Sequence, residues 1–284
     1  AFFDKRSKFV HYHPETLIIN NLEFDHADIF VNLEAIQTQF HHLLRMLPAD
    51  GSVIYPQDDQ NVATMLERGC WSQQVSMGNS DDSAWQYTAL QADCGRIEIF
   101  KSGQSQGVLD WDLLGKHNAM NALAAIAASA TADISAQTAI QALAEFKGVK
   151  RRMQLRGVRN DIEIYDDFAH HPTAIKTTLE GLRAKVGAGR ILVAFEPRSN
   201  TMRMGIHKET LGAAFDAADE AFVLLSRDLD WGEEGLQMNV PSHIFTSVDA
   251  LLEALTKQSR SGDSIIIMSN GGFENLPVRL LDAL

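Results

Sequence analysis

The chain has 284 residues, 45% of them hydrophobic and 22% charged, with a formal net charge of −12. That is enough apolar material for one large core or two ordinary ones. No basic run extends beyond Lys150-Arg151-Arg152, which excludes a long nucleic-acid footprint, although local arginines and helix N-termini can still hold phosphates.

In chain order, residues 16–20 read as a short buried strand. Residues 33–47 read as an amphipathic helix, with apolar side chains at 33, 36, 40, 43, 44 and 47. A second strand is expected over 52–55, followed by a helix through Glu67. From Trp71 to Trp111 the pattern turns to alternation punctuated by Gly, Ser, Asn and Asp, as at 96–100 and 108–111. That predicts antiparallel strands with 101–107 as a hairpin loop. Helices follow at about 117–132 and 135–147.

Residues 148–155 form a short basic connector, and a cleaner alternation begins beyond it. Strands are expected near 161–166, 190–195, 220–225 and 263–268, with helices over 173–185, 207–218, 247–258 and 273–284. Strands separated by helices imply right-handed βαβ units and a parallel sheet. The expected division is a first domain over 1–155 and a second over 156–284. Cys70 and Cys94 lack metal spacing and read as reduced thiols of a cytosolic protein, with a single disulfide as the alternative. The longest apolar stretch, 122–132, is too short to cross a bilayer, and nothing resembles a signal peptide, so no membrane partner is expected. The sequence opens Ala1-Phe2-Phe3 without a methionine, and we expect it to be part of something longer.

The most informative run is Asp166-Asp167-Phe168-Ala169-His170-His171-Pro172-Thr173, between a strand and a helix. It sets two carboxylates and two imidazoles at the carboxyl end of a strand, where open α/β sheets bind ligands; the plain alternative is a solvated turn with an Asp cap. After the first strand comes Asn20-Asn21-Leu22-Glu23-Phe24-Asp25-His26-Ala27-Asp28. Its Asn, Glu, Asp and His could converge on a hard divalent cation, against the plainer reading of a polar loop. In GKHNAMNALAAIA (115–127), His117, Asn118 and Asn121 can share one face near a helix start, and an asparagine amide matches an adenine edge. Two further loops, Glu196-Pro197-Arg198-Ser199-Asn200-Thr201-Met202-Arg203-Met204-Gly205 and Ser269-Asn270-Gly271-Gly272-Phe273, follow predicted strands. Their arginines suit a carboxylate clamp and their glycines free backbone N–H groups.

In register along the whole chain, GKHNAMNALAAIA, RRMQLRG, YDDFAHHPTAI and NNLEFDHADIF resemble the Mur ligase family, ATP-dependent amide-bond-forming enzymes of peptidoglycan synthesis. The resemblance implies an α/β fold: the C-terminal part of the central ATP-binding domain, then a Rossmann-like C-terminal domain with a mostly parallel sheet. DDFAHHPT is similar to the branch acting on UDP-N-acetylmuramate. EPRSNTMRMG and SNGGF look like its recycling member, whose acceptor is the tripeptide L-alanyl-γ-D-glutamyl-meso-diaminopimelate. Such an enzyme is cytoplasmic, uses ATP and Mg2+, serves cell-wall biogenesis, cell shape and division, and needs no obligatory protein partner.

On that resemblance His26 matches a magnesium ligand, with Asn21 beside it. Asn118 and Asn121 match nucleotide-contacting asparagines, with His117 adjacent, while Arg152 would reach the ATP phosphates and Asp167 the ribose. His170 or His171, at the domain cleft, would orient or deprotonate the incoming amine. Arg198, Ser199, Asn200, Thr201, Arg203, Asn270 and Gly271 would form the acceptor pocket. The connector at 148–155 would be a hinge for domain closure. The family's phosphate loop is missing, since the only Gly-Lys pair, Gly115-Lys116, precedes His117, and so is an upstream acidic metal ligand. The chain is therefore expected to start midway through the central domain and to be inactive alone. Two alternatives compete: the sibling that adds free L-alanine to the same sugar, and a non-catalytic module that binds peptidoglycan fragments. A redox Rossmann protein is disfavoured because no G-x-G-x-x-G follows a predicted strand.

Overall fold

The computed structural model describes residues 6–225 and 236–284. They divide into two compact units: residues up to Asp112 together with His117–Phe146, and Leu113–Lys116 together with Lys147 onward. Both are α/β, as expected.

The first unit is built on a six-stranded sheet ordered β1-β2-β3-β4-β5-β6. Its strands are β1 (Thr16–Ile18), β2 (Ser52–Pro56), β3 (Gln73–Met77), β4 (Trp85–Ala89), β5 (Arg96–Lys101) and β6 (Gln104–Asp110). Helices α1 (Leu33–Leu44) and α2 (Gln60–Glu67) make the crossovers. Each begins on a side-chain cap: Asn32 accepts from the Ala35 N–H at 2.9 Å, and Asp59 from the N–H groups of Asn61 and Val62 at 2.9 and 3.0 Å. Ile36, Leu43, Leu44, Val62 and Met65 pack with Ile19, Leu22 and Val53 into one core cluster, each large side chain contributing about 1.5–3 kcal/mol. Helices α3 (Lys116–Thr131) and α4 (Ala136–Ala144) complete the unit.

Two expectations for 71–111 need correction. β3 pairs parallel with both β2 and β4, and only β4, β5 and β6 are antiparallel. The loop expected over 101–107 shrinks to Ser102-Gly103, both at positive φ (49° and 75°), the backbone shape that matches strand twist in a two-residue hairpin. Residues 104–107 are strand instead, because their ladder needs only backbone groups and their polar side chains stay in solvent.

The second unit carries a sheet ordered β11-β10-β9-β12-β8-β7. Its strands are β7 (Gln154–Arg159), β8 (Ile162–Asp167), β9 (Ile191–Phe195), β10 (Glu220–Leu224), β11 (Ser242–Phe245) and β12 (Ser264–Met268). All pair parallel except β7, which runs antiparallel along the edge beside β8. The expected boundary at 155 falls inside β7, a strand the connector reading missed, as it missed β11. Helices α5 (Pro172–Val186), α6 (Asn200–Arg203) and α7 (Lys208–Leu211) precede α8 (Val248–Gln258) and α9 (Leu276–Ala283). The helices read over 207–218 and 273–284 are each partly 3-10: Gly212–Phe215 follows α7, and Phe273–Asn275 precedes α9.

Alternation along the strands separates two cores. Tyr165, Val193, Phe195, Ile266 and Met268 pack with Ile175, Leu179 and Leu182 of α5 and Leu211 of α7. Ile164, Leu192, Ala194, Ile265 and Ile267 face Leu251 and Leu255 of α8 and Leu280 of α9. A sheet covered on both faces needs the near-continuous apolar strands seen here. Cys70 and Cys94 are not joined in a disulfide, so that alternative is not realised. Among the described residues no helix is long and apolar enough to cross a membrane.

Candidate active site

Neighbouring strands β9, β12 and β8 end in register, with Met268 opposite both Asp167 and Phe195. Parallel pairing therefore brings together the three loops that the sequence singled out: Asp166–Thr173, Glu196–Arg203 and Ser269–Phe273. Strand order reverses here, since β8 is followed two places away by β9 and the gap is filled later by β12. Such a reversal opens a crevice above the strand ends.

Asp167 is 3% exposed. One carboxylate oxygen accepts from the Met153 N–H at 2.6 Å and the other from the Ala169 N–H at 2.7 Å. Burial raises its pKa above the ordinary carboxylate range; the two backbone donors and the nearby Arg152 charge counteract this, while Asp166 adds to it. Asp166 pairs with Arg151 at 3.4 Å. Arg151 also donates to the Ser269 carbonyl at 2.5 Å. Both Arg151 and the exposed Arg152 lie 5.2 Å from the Phe168 ring centroid, within cation–π range.

The two histidines of the turn are chemically distinct. His170 Nδ1 lies 2.9 Å from the Phe168 carbonyl. A carbonyl only accepts, so Nδ1 carries a proton, and in the neutral ring Nε2 keeps its lone pair. His171 instead caps α5: its Nδ1 accepts from the Thr173 N–H at 3.3 Å, which in the neutral ring places the proton on Nε2. Pro172 then occupies the first helical turn, where its missing N–H is not needed. The His207 ring, which sequence reasoning did not single out, packs edge-on to His171 with centroids 4.5 Å apart.

In the adjoining loop Ser199 caps α6, accepting from the Met202 N–H at 3.3 Å. Asn200, Thr201 and Arg203 ride on that turn, with Thr201 buried and Asn200 exposed. Arg198 is half exposed, 3.8 Å from Glu196, and lies so close over Gly271 that a Cβ there would sit 2.5 Å from its Nη1. Ser269 donates to Glu196 at 2.5 Å and accepts from the Gly271 N–H at 2.9 Å, while its own N–H donates to the Asp167 carbonyl at 3.1 Å. Asn270 Oδ1 is buried, with no hydrogen-bond partner among the described residues.

In the first unit Asn20 donates to Asn121 Oδ1 at 3.1 Å, and Asn121 Nδ2 lies 3.5 Å from Asn118 Oδ1. This amide chain links the end of β1 to the start of α3, where His117 sits half-buried. The loop after β1 is held to α2, because the Leu22 N–H donates to Asp59 at 3.2 Å and Asn61 donates to the Leu22 carbonyl at 2.8 Å. The expected convergence on a cation is not found there. Asn21 donates to Glu23 at 2.8 Å and Asp25 accepts from the His26 N–H at 2.7 Å. His26 is exposed at a positive φ of 54°. Among the described residues no three His, Cys, Asp or Glu side chains are grouped to hold a metal ion. These residues alone therefore do not fit a complete metal cage.

Sequence reasoning passed over Arg151, Glu196 and Ser269 as site residues. Each lies inside or beside a quoted motif, but nothing in the pattern marks which polar side chain turns inward. Comparison with known proteins agrees with the geometry. Residues 3–129 match the Mur ligase middle domain and residues 151–271 the Mur ligase glutamate ligase domain. The chain is 47% identical over 287 positions to the UDP-N-acetylmuramate--L-alanyl-gamma-D-glutamyl-meso-2,6-diaminoheptandioate ligase of Escherichia coli (strain K12), covering 100% of this chain and 62% of that protein. Its namesake in Haemophilus influenzae is 44% identical, with coverage of 100% and 63%. A solved murein peptide ligase from Psychrobacter arcticus 273-4 matches with a TM-score of 0.70 and 41% identity, over 100% of this chain and 60% of that one. The chain thus spans about three fifths of the length of these relatives. With two successive domains matched and the architecture shared with a solved relative, the chain belongs to the Mur ligase family.

Proposed function

We propose that the complete protein is an ATP-dependent ligase joining L-alanyl-γ-D-glutamyl-meso-diaminopimelate to UDP-N-acetylmuramate, in cytoplasmic peptidoglycan recycling. The observation that carries this reading is the crevice of the second unit, where the arginine-bearing loop at 196–203 lies beside the Asp167–His171 turn. A tripeptide rich in carboxylates needs such arginines, whereas free L-alanine offers a single carboxylate. The sibling that adds L-alanine is therefore the weaker reading, and a binding module without chemistry leaves the histidine turn unused.

In the proposed reaction the lactyl carboxylate takes the γ-phosphoryl group of ATP, releasing ADP and leaving an acyl phosphate. The tripeptide's α-amine then attacks the acyl carbon, the amine loses a proton, and inorganic phosphate leaves. Both steps concentrate negative charge, so positioning and cationic groups supply most of the acceleration. Asn118 and Asn121 bind the nucleotide base, with His117 beside them; Arg152 meets the phosphates and Asp167 the ribose. His170 is the base for the amine, because its Nε2 lone pair is available. His171, occupied as a helix cap, orients substrate. Arg198, Arg203, Asn270 and Gly271, with Ser199, Asn200 and Thr201 shaping the loop, receive the peptide.

Mg2+ is the proposed companion of ATP, with His26 as the side-chain ligand this chain contributes and Asn21 close by. The described residues do not complete its shell. Titration calorimetry of the protein with the tripeptide, with L-alanine as control, tests the reading. Saturable binding of the tripeptide alone supports it; binding of L-alanine alone, or of neither by the complete protein, overturns it.

A further inference from the structure

Ser269 is 1% exposed, yet its N–H, carbonyl and hydroxyl all bond to neighbouring loops: to Asp167, to Arg151 and to Glu196 and Gly271. The bond to Glu196 fixes Oε2 of that carboxylate. The other oxygen, Oε1, is then the atom 3.8 Å from Arg198 Nη1. Arg198 also meets Gly271, where a Cβ would stand 2.5 Å from Nη1, 2.6 Å from Cδ and 2.9 Å from Cζ. The guanidinium thus has both a fixed carboxylate and a bare stretch of backbone as neighbours.

We propose that Glu196 and Ser269 are positioning residues that aim the Arg198 guanidinium at a carboxylate of the acceptor peptide, Gly271 being the floor on which it lies. This rests on the acceptor reading of the crevice given above. Arginine's long stem loses rotamer freedom when it grips a ligand, and a stem held beforehand loses less on binding. The Glu196–Arg198 pair is partly exposed, with side chains 16% and 58% accessible. Ion pairs so placed add little stability. Its value is therefore in direction, which separates its signature from that of a structural contact.

The test is a double-mutant cycle in the complete protein, measuring KM for the tripeptide, KM for ATP, kcat and the melting temperature. Glu196→Gln keeps an oxygen for Ser269 but removes the charge facing Arg198. It should raise the tripeptide KM about five- to tenfold, leaving KM for ATP and the melting temperature unchanged. Gly271→Ala, which displaces only the flexible end of Arg198, should raise the same KM similarly. In an Arg198→Ala background Glu196→Gln should add nothing further. An unchanged tripeptide KM in Glu196→Gln, a rise that persists without Arg198, or an equal rise for ATP overturns the proposal while leaving the acceptor reading in place. If Arg198→Ala itself leaves the tripeptide KM untouched, the acceptor reading falls and this proposal falls with it.

Discussion

The polar residues of the two units are held in different ways. In the second unit Asp167, Thr201 and Ser269 are buried, and Asp167 and Ser269 are bonded across loops that lie far apart in sequence. In the first, Asn21, His26 and Asn121 are exposed, and most of their bonds go to close neighbours in the chain. A buried network is shaped before any ligand arrives, because each unpaired group would carry its full desolvation cost. An exposed chain of amides has water as a ready alternative, so its geometry sharpens only when a ligand replaces that water.

The strongest way to break this contrast is Asp167→Ala. It leaves the Met153 and Ala169 N–H groups without their acceptor, so unfolding by urea should show a loss of about 2 kcal/mol or more. A loss below about 0.5 kcal/mol would mean that water substitutes freely and that the crevice is no better built than a surface loop. Asp167→Asn sharpens the same point through pH. Burial raises the folded-state pKa of Asp167 above its usual 3.8, so the native state holds this proton more tightly than the unfolded chain. Its contribution is fully present below pH 3.8 and is lost as pH rises through the folded value. Wild-type stability should therefore fall relative to the non-titrating variant across that window, and parallel pH profiles would contradict the burial argument.

In the first unit Asp59→Ala removes both the α2 cap and the acceptor for the Leu22 N–H. Thermal melting should report a cost of about 1–2 kcal/mol. The smallest effect is expected at Asn20→Ala, which cuts the link to Asn121. Stability should change by less than about 0.5 kcal/mol, while ATP affinity of the complete protein, measured by calorimetry, falls about threefold. A large stability loss there would show that the amide chain is structural, and the contrast between the units would dissolve.

The buried strands and amphipathic helices of both units were legible because burial on one or two faces writes a period into the sequence. β9, β10 and β12 are nearly continuous apolar runs, β8 opens on the alternation Ile162-Glu163-Ile164, and the boundaries of all four shifted by a residue or so. The elements that escaped are those whose side chains need not be apolar. β7 keeps Leu155 and Val158 largely exposed, β11 is a four-residue edge strand, and the first residues of β6 are all polar. At the site, strand-end position was readable and the three loops were found from it. Direction was not: Glu196 and Arg198 stand two residues apart in one motif, one shielded and the other open to solvent. The same limit applied to the acidic loop after β1, where composition suggested convergence on a cation and the side chains of Asn21, Glu23 and Asp25 bond to close neighbours in the chain instead.

Strand order also governs when the crevice can exist. β8 and β9 are not paired with each other; each is paired to β12, which lies about a hundred residues beyond β8 in the chain. Until that strand is inserted, the aspartate turn and the arginine loop belong to two separate pieces of sheet, β7 with β8 and β9 with β10 and β11. Closing so long a stretch of chain is slow compared with forming hairpins or helices. On the ribosome the crevice therefore comes into being in one late step, and a nascent chain halted before residue 264 would carry every residue of the aspartate and arginine loops without the strand that joins them.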